Sequence, residues 1–177
     1  MIKYAERRLL PLKVLKEELV AYHEAGHVIM CFLFQLNFTE VSIENMGENG
    51  EDGDLDTPDM LFSSPAFKIW GAKKAYGLII IQYFSRIISE AFYTGIYDWH
   101  NAENDIEQVY YVMQKFNKGY DLNELWEISE KLVIKKWGFI DLLAKELLIN
   151  RSLSKCEIVF LLKDKIPSGV PPALIKN

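Results

Sequence analysis

The chain has 177 residues, 50% of them apolar, 13% aromatic and 25% charged. That composition describes one globular domain large enough to bury a core without disulfides, and it excludes intrinsic disorder. Twenty basic residues against 25 acidic ones give a formal net charge of −5, which argues against a general nucleic-acid binder, whose contact face would be basic.

Glu6, Arg7, Arg8, Lys13, Lys16, Glu17 and Glu18 break any leader-like apolar core at the start. Residues 17–36 read as one helix, with apolar Leu19, Val20, Ile29, Met30, Leu33 and Phe34 and no proline. Residues 38–44 read as a short half-buried strand, Val41 and Ile43 alternating with Glu40, Ser42 and Glu44. Residues 44–59 hold seven acids, three glycines and no base, the composition of a solvated loop. Ser64-Pro65 has the form of a helix start, Ser as cap and Pro in the first turn. The helix it opens is expected to reach about residue 92, with Gly71 and Gly77 as places where it can break, and its apolar middle, 76–88, belongs in the core.

After a break at 95–99, Asn101 or Asn104 is expected to cap a helix to about 116. Asp121-Leu-Asn-Glu124 and Ser154-Lys-Cys-Glu157 have capping-box spacing and open two further helices, one long and amphipathic, one short and ending near 163. Trp126 and Trp137 on the long helix read as core or as an interface stripe. Three prolines fall in the tail beyond 166. The expected fold is mainly α with a small β element, α+β in the broad sense. The apolar runs at 28–34 and 78–81 are too short to span a membrane. With two cysteines, Cys31 and Cys156, and no CxxC pair, a reducing cytoplasmic setting is expected, and a zinc ribbon or disulfide scaffold is not.

The chemistry sits in His23-Glu24-Ala25-Gly26-His27, an H-E-x-x-H pattern. On a helix, positions i and i+4 share a face, so both imidazoles can hold one ion, zinc being the usual choice for such a set. Glu24 is then placed to take a proton from a water activated there. The motif lies between apolar segments, where unpartnered histidines would be costly. A third ligand is needed. Met30 and Leu33 stand where a metzincin has Gly and His, which excludes that subclass. Cys31 continues the His23–His27 face but reads as a small core residue. Glu44, Glu48 and Glu51 in the acidic loop, Asp98, Glu103 and Asp105 are the acidic candidates. Asp105 is favoured by its place in a first helical turn. His100 reads as a loop histidine.

Ala21-Tyr22 followed by this motif resembles the peptidase domain of the FtsH family of ATP-dependent zinc proteases. So do the strand after the motif helix, Arg86-Ile-Ile-Ser-Glu90 with Tyr93-Thr-Gly95, Ala102-Glu-Asn-Asp-Ile106, and the closing helices from Lys131 with Trp137, Leu143, Ala144, Leu147, Leu148, Leu153 and Glu157. The resemblance spans about 17–163, leaving 1–16 as a lead and 164–177 as a tail. It implies a zincin-like helical peptidase domain, with His23, His27 and Asp105 as zinc ligands and Glu24 as catalytic base. The chain departs from the family in lacking its paired glycines before Arg86, in the composition of 46–53, and in carrying no G-x-x-x-x-G-K-[ST] pattern. The resemblance therefore implies a stand-alone metalloendopeptidase cutting flexible or unfolded polypeptide, ATP-independent by itself. An ATPase partner in trans and a homo-oligomeric ring are both compatible with it. The alternative is a catalytically silent metal-binding adaptor or regulator that keeps the fold.

Overall fold

A computed structural model describes residues 16–44, 61–99, 102–116, 119–163 and 165. The elements in chain order are α1 (Lys16–Phe34), β1 (Glu40–Ser42), α2 (Pro65–Trp70), α3 (Ala72–Thr94), α4 (Glu103–Phe116), α5 (Leu122–Asn150), β2 (Ser152–Ser154) and α6 (Lys155–Leu162). Among the described residues the fold is mainly helical with one two-stranded sheet, as the patterning predicts. Among the described residues no helix is long and apolar enough to cross a membrane.

Helix α1 is the centre of the molecule. It packs against α3 and α5, which also pack against each other, while α2 and α4 lie on α3. Every residue from 21 to 31 is buried, as is every residue from 77 to 91 of α3. The two helices approach closely at Gly26. The Ser85 hydroxyl of α3 donates to the Gly26 carbonyl at 3.2 Å, and a Cβ built on Gly26 would stand 2.8 Å from the Ser85 carbonyl oxygen. Tyr22 joins α1 to the rest. Its ring stacks on Tyr93 (centroids 3.8 Å apart) and on Trp137 (5.4 Å), and its hydroxyl donates to Asp141 Oδ1 at 2.6 Å. Trp137 is thus half-buried packing rather than a free stripe, and Trp126 packs on Phe84, Tyr97 and Trp99.

Several local expectations are corrected. The helix expected from Pro65 to about residue 92 is two helices, broken at Gly71 (φ 77°), where only glycine is at ease. Gly77 stays inside α3, and Gly95 (φ 81°) ends it with its N–H on the Ala91 carbonyl. Ser64 does not cap α2; its hydroxyl is taken by the Asn37 N–H at 2.8 Å, which ties the end of α1 to the start of α2. Asn104 lies inside α4 and is exposed, so it is no cap, and Asn101 lies outside the described residues. Asp121 caps α5 through the N–H groups of Asn123 and Glu124. The Ser154–Glu157 capping box forms in both directions. The strand after α1 is shorter than expected, and its partner β2 was not expected at all. They pair antiparallel, Glu40 with Ser154, Val41 with Leu153 and Ser42 with Ser152. The acidic loop beyond Glu44, the lead before Lys16 and the tail apart from residue 165 lie outside the described residues.

Candidate metal centre

Three helices bring six ionisable side chains together below the surface. Helix α1 supplies His23, Glu24 and His27, α3 supplies Arg86 and Glu90, and α4 supplies Asp105 from its first turn. None is more than 9% exposed, and Glu24 and Asp105 are at 0% and 1%. Buried charges hold only when paired, and these are. Arg86 Nη2 donates to Glu24 Oε1 at 2.9 Å and Nη1 to Asp105 Oδ1 at 2.8 Å. Glu90 accepts from His23 Nδ1, which fixes that ring and turns its Nε2 inward.

The inward-facing atoms suit a cation. His23 Nε2 stands 3.5 Å from Asp105 Oδ2, and neither makes a hydrogen bond. Two ligands of one tetrahedral zinc, at about 2.0–2.1 Å each, would be about 3.4 Å apart. The carboxylates of Glu24, Glu90 and Asp105 outnumber the single guanidinium by two negative charges. Burial and the Arg86 charge press the His23 imidazole down, but Asp105 and Glu90 outweigh them and raise its pKa to about 9. The cluster thus favours a positive charge on the His23 ring, and a divalent cation taking the place of that proton at Nε2 would also balance the carboxylates. His23 and Asp105 fit a zinc ion by this donor chemistry.

His27 is on the same face but is turned differently. Its Nε2 is 3.6 Å from Cys31 Sγ, and its buried Nδ1 makes no hydrogen bond. Burial, Arg86 and His23 all push its pKa down, which keeps the ring neutral, the form that binds metals. No three His, Cys, Asp or Glu side chains among the described residues close around one point. Cys31 is fully buried, in keeping with a core residue.

The sequence candidates separate cleanly by burial. His23, Glu24, His27 and Asp105 share the cluster, whereas Glu44, Asp98 and Glu103 are exposed. Glu48, Glu51 and His100 lie outside the described residues. Arg86 and Glu90 entered the reading of the sequence only as parts of a resembling segment, not as members of the site. Their signal is an i, i+4 pair of opposite charges inside the otherwise uncharged 78–91 stretch. No protein-family model matches the chain, and no curated protein is significantly similar to it in sequence.

Proposed function

We propose that this chain is a zinc-dependent metalloendopeptidase with a zincin-like helical domain of the FtsH type. Its substrates would be flexible or unfolded polypeptides, and an ATPase acting in trans is the partner that would deliver folded ones. The two free cysteines suit a reducing compartment such as the cytoplasm. The observation that carries the reading is the pair His23 Nε2 and Asp105 Oδ2, 3.5 Å apart in a buried site with surplus negative charge.

In this reading His23, His27 and Asp105 hold the ion, with His27 turning from Cys31. The chemistry that a zinc ion supplies when bound is Lewis acidity, which polarises a carbonyl and lowers the pKa of water. Glu24 accepts the proton of the attacking water on its carboxylate and returns it to the leaving amine. Glu90 keeps His23 Nδ1 engaged, so that Nε2 is the nitrogen offered to the metal.

The test is Glu24→Gln, which preserves shape and removes the proton acceptor. Zinc content measured on the purified protein should stay equal to wild type. Cleavage of unfolded casein should fall about 10²- to 10⁴-fold. Equal cleavage by the two proteins would overturn the mechanism. One observation favours the adaptor reading instead: Glu24 is fully buried. A wild type that binds zinc and cleaves nothing, with or without an added unfolding ATPase, would decide for the adaptor.

A further inference from the structure

We propose that Arg86 is the positioning residue of this centre. Its guanidinium holds Glu24 and Asp105 in register, so that the ligand oxygen and the proton acceptor are presented together. The proposal rests on the metal-dependent reading above.

Glu24 and Asp105 come from different helices, 62 and 19 residues from Arg86 along the chain, and α3 runs between them. A carboxylate on a free rotamer can present either oxygen. Here the guanidinium engages one oxygen of each, Glu24 Oε1 and Asp105 Oδ1. Its terminal nitrogens point in directions set by a rigid plane, so the two carboxylates are oriented relative to one another as well as held. The consequence is visible at Asp105. With Oδ1 engaged, Oδ2 is the oxygen that faces His23 Nε2. One turn further along α3, Glu90 orients His23 by the same logic. A single face of α3 therefore aims groups carried by α1 and α4.

Lysine keeps the charge but is a point donor on a flexible stem, and cannot bridge both carboxylates in fixed directions. A purely structural ion pair would be served by either residue. The test is zinc affinity of the full chain, read by competition with a chromogenic chelator. It is measured for wild type, Arg86→Lys, and Arg86→Ala with and without millimolar guanidinium. We expect Arg86→Lys to keep its near-UV circular dichroism and to lose about 10- to 100-fold in zinc affinity, the usual effect of removing a group that orients a ligand. Guanidinium, but not equal sodium chloride, should restore part of the affinity of Arg86→Ala. On casein, Arg86→Lys should lower kcat and leave KM nearly unchanged.

Wild-type zinc affinity in Arg86→Lys would overturn the proposal, and so would a wild type that binds no zinc. If Arg86→Ala does not fold, Arg86→Lys alone decides. If the wild type binds zinc but cleaves nothing, the peptidase reading fails while the affinities still judge Arg86.

Discussion

Gly26 sits between the two residues of the histidine motif, and its replacement by alanine tests the packing that assembles the centre. In an isolated helix the change would stabilise by about 1 kcal/mol, because glycine has the greater freedom to lose. Here the added methyl would stand 2.8 Å from the Ser85 carbonyl oxygen and against the side chain of Ser89. The Ser89 hydroxyl can rotate only by giving up its bond to the Ser85 carbonyl, 2.6 Å. The carbonyl itself belongs to the backbone of α3 and cannot yield unless the helix moves. Overpacking costs about 1–3 kcal/mol, and three atoms closer than 3 Å put this site in the upper part of that range, about 2–3 kcal/mol, so a net loss of about 1–2 kcal/mol remains after the helical gain. For a domain of this size that lowers Tm by about 2–8 °C. Gly138 provides the internal control. It lies in α5, exposed, and a Cβ there meets nothing within 4 Å. Gly138→Ala should therefore gain about 0.5–1 kcal/mol. Scanning calorimetry on both variants should give opposite signs. A Gly26→Ala protein as stable as wild type, or more so, would refute the close approach of α1 and α3.

Two further outcomes follow from the periphery. Ser154→Ala removes a hydroxyl that caps α6 and the Glu157 N–H, and should cost about 1 kcal/mol, or 2–4 °C in Tm, with zinc content unchanged. Asp141 is raised by burial but held below its ordinary pKa overall by hydrogen bonds from Lys145 and Tyr22. A carboxylate depressed in the folded state lends stability above its unfolded pKa, near 4, and that stability is lost as pH falls through the lower folded value. Tyr22→Phe keeps the stacked ring but weakens this link, so the drop in Tm between pH 5 and pH 2.5 should be smaller than in wild type. An equal drop would remove the Tyr22–Asp141 bond from the account.

The histidine helix, the apolar body of α3 and the cap at Ser154 were legible because each is written in local periodicity or in the spacing of a few residues. What was not legible depends on partners distant in the chain. Ser152-Leu-Ser154 has no strand signal of its own and becomes one by pairing with 40–42. Ser64 looks like a cap, yet Asn37 claims its hydroxyl. Gly71 and Gly77 look equivalent as helix breakers. Only Gly71 takes a positive φ, while Gly77 is buried in the middle of α3. At the site, the two histidines and Glu24 were visible as a spacing. Asp105 stood among acidic rivals, and periodicity alone did not choose it. Its burial is what sets it apart from exposed Glu103 and Asn104. Arg86 and Glu90 were visible as letters, but their partners lie on other helices, and no rule of local spacing connects 86 with 24 or 105.

The overlap of core and centre constrains how the chemistry can be probed. Glu24 lies between residues that are themselves fully buried, and it accepts from a guanidinium that is buried too. Truncating it to alanine would take from Arg86 one of its two carboxylates, leave the buried Nη2 without that acceptor at a cost of about 1–3 kcal/mol, and open a cavity as well. Lost activity would then report unfolding as readily as chemistry. Glutamine keeps the volume and an oxygen acceptor for Arg86, and changes only basicity and charge. The same reasoning makes Asp105→Asn the informative change at the other end of the guanidinium. It keeps one oxygen for Arg86, whereas the group facing His23 Nε2 becomes an amide nitrogen, which does not bind zinc. Under the zinc proposal such a protein should fold, keep the contact to Arg86 and lose the metal. An Asp105→Asn variant that unfolds would show that the charge of the cluster, more than its shape, holds α4 in place.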